Sequence, residues 1–436
     1  MRMPQICQQI VGLLATMGFA MCSPVAGATG PTGNASPSTS APVPSDERLR
    51  HFMEQVRTQP ASSQGGGSAV RAAMSVSPER LHERAELLKS GEAALSRMRV
   101  APALQAFERA ALILHAADTE IALVRSYMQG GEYRRALAFG AHTAGAHLDV
   151  VGGSALYAWL LHLGGQGTIA QRLLSDTLVR LPGNTLMSSV QAQLRTGAPL
   201  ATGALLTLPT RLAPYGSSQG IPHSARVVGS GLLLHSGKHA LVPLSLLPTS
   251  GMVWLRNGLG QLAKARVEKR LGTSGLALLR LTTALPVPED LWVADKDAFP
   301  GSVGFAVEYV VAPKPAHAAA SAWPVLHTGF LGGMESRDGI QGKERLLGID
   351  MPAGPRGGPV FDNTGRLIGL ALPDKRGAAD RLVLASELRS EIRKTRGAQS
   401  GLVVGLAAPP GAETRTSVDQ IYETSLKTSL QLITAR

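Results

Sequence analysis

The pattern of hydrophobic and polar positions divides the chain into three stretches. From 78 to 200, apolar residues recur every three to four positions, which predicts amphipathic helices packed on one another. From 203 to 397, short runs rich in Val and Leu alternate with Gly, Pro and Asn turns, which predicts short β-strands. The tail 398–436 holds one more amphipathic helix candidate, 418–433. The pattern therefore predicts an α + β multidomain protein in which a helical array precedes a β domain.

A 34-residue period runs through the helical stretch. The pairs that share this offset are Gly131 and Gly165, Ala136 and Ala170, and Leu123 and Tyr157. An earlier copy, slipped by one residue, has Gly91, Ala103, Phe107 and Ala110. The period resembles tetratricopeptide repeats, a resemblance that implies a curved array binding a protein or peptide partner. The alternative is an unrelated helical bundle with a chance period, because Gly140 stands where a larger residue is usual.

The first 28 residues have the pattern of a secretory signal peptide. Arg2 precedes an apolar stretch, and Ala26 and Ala28 are the small residues that a signal peptidase reads. The stretch is shorter than the ~20 residues of a membrane span, and no later segment reaches that length. Lipid anchoring at Cys22 is an alternative that the bulky Met21 disfavours. We therefore expect export to the periplasm or cell envelope of a bacterium, with a disordered linker at 29–77 and a short helix at 46–57.

Composition and charge exclude several classes of protein. With 44% hydrophobic residues, the 436-residue chain can bury a core, and its net charge of +12 is scattered rather than gathered into a nucleic-acid groove. Both cysteines, Cys7 and Cys22, lie in the leader, so the mature chain has neither a disulfide nor a cysteine nucleophile or ligand. His142 and His147 are five apart rather than four, which disfavours a metal site on one helix face. We predict no cofactor.

Within the β stretch, two hairpins and an ordered series of motifs stand out. Strands at 227–234 and 239–244 flank Ser236-Gly237, and strands at 358–361 and 367–372 flank a four-residue turn. The motifs are Gly229-Ser230-Gly231, the segment 241–247, the segment 275–281, and Gly354-Pro355-Arg356-Gly357-Gly358-Pro359. Their order resembles the trypsin-like serine proteases of the bacterial HtrA branch. The resemblance implies a trypsin-like double β-barrel domain.

The catalytic positions of that family are occupied by other residues. The resemblance aligns Ser245 with the catalytic His, Gly275 with the Asp, and Arg356 with the nucleophilic Ser. Triad chemistry needs a hydroxyl, an imidazole that takes its proton and a carboxylate that orients the ring. None of the three positions holds the group that it would have to supply. The alignment predicts a pseudoprotease. The alternative is an active serine endopeptidase with relocated residues, for which His223, His235 and His239 are candidate bases.

The former nucleophile loop keeps a candidate binding role. In an active member its backbone amides face a developing oxyanion, so Gly354, Arg356, Gly357 and Gly358 are the hypothetical binding residues for a carboxylate ligand. The alternative is that Arg356 points into solvent. Only 36 residues follow position 400, too few for the peptide-binding domain usual in the HtrA branch. We therefore expect a non-catalytic binding or scaffold protein, or alternatively a chaperone-like holder of exported chains; the partner and the oligomeric state stay open.

Overall fold

The computed structural model describes residues 76–196, 204–249, 252–289, 291–311, 319–336, 343–373, 379–396, 404–407 and 415–435. The predicted signal peptide at 1–28, the helix at 46–57 and nearly all of the linker at 29–77 lie outside these residues. Within the described ranges, every helix is too short or too polar to cross a bilayer.

Seven consecutive helices form the first part of the described chain, as the periodicity predicts. They are α1 (Pro78–Ser96), α2 (Val100–Ile113), α3 (Ala117–Gln129), α4 (Tyr133–Ala146), α5 (Val151–Leu163), α6 (Gly167–Arg180) and α7 (Thr185–Thr196). Each packs against the next along the chain. Small residues lie where the helices meet: Ala103, Ala110, Ala136 and Ala170 are fully buried. Their short side chains let the helix backbones approach closely.

The 34-residue period is visible in how the helices end. Gly131 and Gly165 follow α3 and α5 with φ of 75° and 84°, and Met98 follows α1 with φ of 58°. At each of these ends a backbone N–H bonds to the carbonyl five residues earlier, which satisfies a carbonyl that the helix leaves free. These bonds are Arg99 N to Ala94 O (2.9 Å), Glu132 N to Tyr127 O (2.9 Å) and Gln166 N to Leu161 O (2.8 Å). The periodic glycines thus mark equivalent left-handed helix caps.

Six strands form a closed barrel, five of them consecutive and the sixth from residues 429–434. The strands are β1 (Arg226–Leu233), β2 (His239–Pro243), β3 (Val253–Asn257), β4 (Leu262–Leu271), β5 (Leu276–Leu281) and β15 (Ser429–Thr434), in the order β1-β15-β3-β4-β5-β2. The predicted hairpin around Ser236-Gly237 is confirmed, with Leu232 opposite Leu241. Leu430 and Leu432 of β15 lie in the apolar interior of the barrel. The C-terminal strand is therefore part of the barrel core.

The last helix is shorter than its pattern predicts. Helix α9 (Val418–Thr428) ends where Ser429 turns to an extended conformation, so the single helix predicted at 418–433 is wrong beyond 428. In β15, Leu430 and Leu432 are two positions apart, so they share the strand face that packs into the barrel interior. Pairing with β1 on one side and β3 on the other satisfies the strand's backbone, which a helix could not do there.

A seven-stranded sheet forms the second β half. Its strands are β6 (Trp292–Val293), β7 (Val303–Glu308), β8 (Val325–Phe330), β11 (Pro359–Phe361), β12 (Leu367–Leu372), β13 (Arg381–Leu384) and β14 (Leu406–Ala407). A separate pair, β9 (Met334–Ser336) and β10 (Lys343–Arg345), lies beside it, and α8 (Ala385–Arg396) follows β13. The predicted hairpin of β11 and β12 is confirmed. Over the described residues this half is a sheet, whereas the resemblance implies a second barrel.

Helix α9 packs the helical array against the β half. The rings of Tyr133 in α4 and Tyr422 in α9 meet edge to face, with centroids 4.5 Å apart. Beside them, the backbone N–H of Arg134 donates to Glu423 (3.0 Å), and its guanidinium adds an ion pair at 3.1 Å. A side chain at Gly165 would also contact Leu326 of β8. The helices and the strands therefore share an interface.

We predict that Gly165→Ala destabilises the protein more than Gly183→Ala. Both glycines have positive φ, so both substitutions add backbone strain of about 1–2 kcal/mol. Only at Gly165 would the new Cβ lie 2.8 Å from Leu326 Cδ2, whereas nothing lies within 4 Å at Gly183. Overpacking should add about 1–3 kcal/mol at the first site. Equal losses in urea unfolding would show that this interface does not constrain the array.

We also predict that Leu432→Ala lowers the free energy of unfolding by about 2–5 kcal/mol, because it leaves a cavity inside the barrel. Leu432 is 0% exposed, whereas Leu112 of α2 is 67% exposed and serves as the matched control. Leu112→Ala should change stability by less than about 0.5 kcal/mol. Urea unfolding monitored by circular dichroism measures both variants, and a neutral Leu432→Ala would contradict the role of β15 in the core.

Candidate functional site: the loop between the barrel and the sheet

The loop 354–358 runs between the barrel and the second sheet. A Cβ on Gly357 would lie 2.1 Å from the Ser230 carbonyl of β1, and one on Gly358 would lie 2.0 Å from the Val307 carbonyl of β7. Gly357 also has φ of 136°, a conformation that other residues rarely adopt. The glycines therefore let the loop approach both β elements closely.

The three positions aligned with the catalytic residues are brought to this one place. Ser245 lies in the short helical turn Leu244–Leu246 that follows β2, and the N–H of Leu244 donates to the carbonyl of Gly275 (2.9 Å). A Cβ on Gly229 would contact both Leu246 and the Arg356 carbonyl. The residues at these positions supply an exposed hydroxyl, a bare backbone and a guanidinium, so among them there is no imidazole and no carboxylate.

Arg356 is held inside the protein by its own partners. The residue is 6% exposed, its Nε donates to Asp380 Oδ2 (2.5 Å), and its terminal nitrogen donates to the Pro352 carbonyl (2.8 Å). An ion pair and a backbone acceptor compensate for burying this cation. The side chain therefore does not point into solvent, and an external carboxylate would have to displace Asp380.

The loop amides also have an internal acceptor. Glu308, at the end of β7, accepts hydrogen bonds at Oε1 from the N–H groups of Gly357 (3.2 Å) and Gly358 (3.0 Å). Burial raises the pKa of the Glu308 carboxyl to about 7, although hydrogen bonds from Ser230 and the two glycines and the charge of Arg356 oppose this rise. The acceptor that these two amides need is thus already present in the fold.

A second arginine, Arg381, lies next to Gly275, the position that aligns with the catalytic Asp of the trypsin-like proteases. A Cβ on Gly275 would lie 3.2 Å from the guanidinium of Arg381, which donates to the Ser274 carbonyl (3.2 Å) and pairs with Glu344. A catalytic carboxylate orients an imidazole, whereas a guanidinium only donates hydrogen bonds. The site therefore holds two arginines, each paired with an internal carboxylate.

A hydroxyl, an imidazole and a carboxylate do line up elsewhere in the barrel. Ser236 Oγ lies 3.1 Å from His239 Nδ1, and His239 Nε2 lies 3.4 Å from Glu268 Oε2. Glu268 lies at a β-bulge in β4, where the register against β5 shifts, and such bulges re-aim side chains. The sequence indicated His239 as a candidate base but did not pair it with Ser236 or Glu268. Glu268 could not be found from the sequence because it is distant along the chain.

This second constellation differs from a protease site in its surroundings. It lies at the hairpin turn, about 13 Å along β2 from Pro243 and the loop 354–358. The N–H groups of Leu234 and Gly237 are bonded to carbonyls of the hairpin, and that of Lys238 is bonded to Ser236 Oγ. These three amides are therefore engaged and do not form an oxyanion hole.

Comparisons with known proteins find likeness only among solved structures. No protein-family model and no curated protein matches the chain. The active form of the Rv3671c protease from M. tuberculosis is similar at 15% identity and a TM-score of 0.29, over 44% of this chain and 84% of that one. The apo MamO protease domain from Magnetospirillum magneticum is similar at 18% identity and a TM-score of 0.27, over 39% and 97%. At these values the likenesses decide nothing about this chain.

We predict that Glu308 makes the protein less stable as the pH rises. Its folded-state pKa of about 7 exceeds the ordinary 4.5, so the folded state keeps a proton that the unfolded state releases. The contribution is fully present below pH 4.5 and is lost as the pH rises through 7, a change of about 3 kcal/mol. Glu308→Gln should remove it while keeping an oxygen acceptor for the amides.

Urea unfolding of both proteins at pH 5.0 and pH 7.5 measures this effect. The wild type should lose more stability than Glu308→Gln between pH 5.0 and pH 7.5. Because both proteins contain the same histidines, the contributions of the histidines cancel when the two losses are subtracted. An equal loss in the two proteins would show that the Glu308 carboxyl titrates at its ordinary value.

Proposed function

We propose that this is an exported, non-catalytic binding protein that combines a tetratricopeptide-like array with a degenerate trypsin-like double β-barrel domain. The repeated helix caps support the first assignment. For the second, the support comes from the order of the motifs, the closed six-stranded barrel and the convergence of positions 245, 275 and 356. The proposed location is the bacterial periplasm or cell envelope, based on the leader at 1–28.

The observation that carries this proposal is the buried Arg356. A guanidinium stays protonated and cannot attack a carbonyl, and the pair with Asp380 holds it at the position where a nucleophile is expected. Asp380 pairs with the Arg356 guanidinium, and Glu308 accepts hydrogen bonds from two amides of the loop. The groups of this loop that could bind an external carboxylate therefore already have partners inside the protein. We therefore assign protein or peptide binding to the helical array rather than to the loop.

A serine hydrolase is the second candidate, and the Ser236–His239–Glu268 constellation favours it. His239 could accept the hydroxyl proton of Ser236 while Glu268 steadies the imidazolium. In this candidate the nucleophile is an exposed turn residue on the barrel and not part of the loop 354–358.

A fluorophosphonate probe, combined with casein cleavage, separates the two candidates. We expect neither labelling nor cleavage by the wild type, because Arg356 offers no hydroxyl and the N–H groups of Leu234, Gly237 and Lys238 are already hydrogen-bonded. Ser236→Ala and Ser245→Ala form a matched pair of exposed substitutions on the same barrel. Labelling that disappears only in Ser236→Ala would overturn the non-catalytic proposal and identify Ser236 as the nucleophile of a hydrolase. Labelling that disappears only in Ser245→Ala would also overturn it and would place the nucleophile beside the loop 354–358.

A further inference from the structure

Three histidines surround one buried carboxylate in the helical array. His115 Nε2 lies 2.5 Å from Glu120 Oε1, His142 Nε2 lies 3.3 Å from the same oxygen, and His147 Nε2 lies 3.4 Å from Oε2. The ligand atoms of His115, Glu120 and His147 all lie within 4.8 Å of one another. Imidazole nitrogen and carboxylate oxygen are both common zinc ligands.

The fold gathers these residues at the open end of the α3–α4 hairpin. Glu120 lies in the first turn of α3, and His115 lies in the connection that precedes this helix. His142 lies near the end of α4, and His147 follows the helix as its C-cap, with φ of −123° and ψ of 61°. Because α4 ends at Ala146, the helical spacing that disfavours a metal pair does not apply to His147.

The separation between His147 and Glu120 is that of neighbouring ligand atoms around a tetrahedral ion. Zinc with ligands at about 2.1 Å places neighbouring ligand atoms about 3.4 Å apart. The His147 nitrogen already lies 3.4 Å from a carboxylate oxygen. His115 would have to move outward by about 1 Å to reach the same tetrahedral spacing. Its side chain is 55% exposed, which leaves room for that movement.

Burial and hydrogen bonding indicate that the cluster suits a cation. The Glu120 side chain is 3% exposed, and among the described residues both of its oxygens and His147 Nε2 are buried without a well-aligned hydrogen-bond partner. A buried carboxylate needs a compensating charge, and imidazoles can supply lone pairs to a shared ion as well as protons. In contrast, neighbouring Asp118 already pairs with Arg84.

We propose that His115, Glu120 and His147 bind one zinc-class transition-metal ion, while His142 lies 3.3 Å from the Glu120 carboxylate, outside this ligand set. Three protein ligands leave one position of a tetrahedral shell for water. The ion ties the connection before α3 to the end of α4 and closes the open end of this hairpin. The inference is independent of the proposed function, because no ligand belongs to the barrel or to its loops.

Calorimetric titration of the tag-free, chelator-treated mature chain with Zn²⁺ tests the proposal. We expect one Zn²⁺ per chain and no measurable binding of Mg²⁺, which prefers oxygen ligands. His115→Gln and His147→Gln each remove one proposed ligand and should each weaken binding at least about tenfold. His82→Gln/His223→Gln, two exposed histidines outside the cluster, is the matched control and should bind as the wild type does.

Thermal unfolding gives an independent readout. Zn²⁺ should raise the unfolding temperature of the wild type and of the control variant, because it binds only the folded site, and should leave His115→Gln nearly unchanged. Far-UV circular dichroism checks that His115→Gln remains helical. The absence of saturable Zn²⁺ binding to the wild type would overturn the proposal, and so would undiminished binding by both cluster variants or loss of binding in the control.

Discussion

Closure of the barrel by the C-terminal strand β15 is the constraint on which the rest of the structure depends. The strand lies between β1 and β3, so its backbone groups pair on both sides. Ser429, at its start, also reaches the second sheet: its hydroxyl donates to the Val307 carbonyl, and its own carbonyl accepts from the Tyr309 hydroxyl, both at 3.3 Å. Helix α9 leads directly into this strand and contacts α4 through Tyr422. Helix α9 and strand β15 thereby join the array, the barrel and the sheet.

Charge compensation distinguishes the two polar sites of the molecule. In the loop between the barrel and the sheet, Arg356 has Asp380 and the Gly357 and Gly358 amides have Glu308. Burying these groups is tolerable there because the guanidinium has a carboxylate partner and Glu308 Oε1 accepts from two amides. Around Glu120, the neighbours are three imidazoles, which carry no fixed charge. The first arrangement is self-contained, whereas the second is suited to an added cation.

The Ser236–His239–Glu268 constellation shows why residue chemistry and location have to be considered together. Its distances suit proton transfer, yet on its hairpin turn the Leu234 and Gly237 amides are bonded within the hairpin and the Lys238 amide is bonded to Ser236. The loop 354–358 has the opposite combination, since it lies where the β elements meet but carries a guanidinium. In the described residues, therefore, the hydroxyl–imidazole–carboxylate constellation and the loop 354–358 are separated.

The helices and the β-hairpins could be predicted from the sequence, whereas the helix caps at the periodic glycines became evident only in the structure. Helical periodicity, the 34-residue spacing of Gly131 and Gly165 and the turn at Ser236-Gly237 depend on neighbours a few residues away, so they leave a local pattern. The strand at the end of α9 escaped prediction because its apolar residues also continue the helical pattern. The composition of the loop at Arg356 was evident in the sequence, but its pairing with Asp380 was not.

Only the tertiary structure decided the contacts between distant segments. These contacts join β15 to β1 and β3, Glu268 to His239, and Glu120 to its three histidines. The last example shows the reason most clearly. The interval between His142 and His147 predicts a poor metal pair only if both belong to one helix, and the helix ends between them. The sequence by itself determined which local conformations the backbone adopts, since these follow from short-range sterics and hydrogen bonding. The path of the whole chain determined which side chains meet, because that depends on the packing of all elements at once.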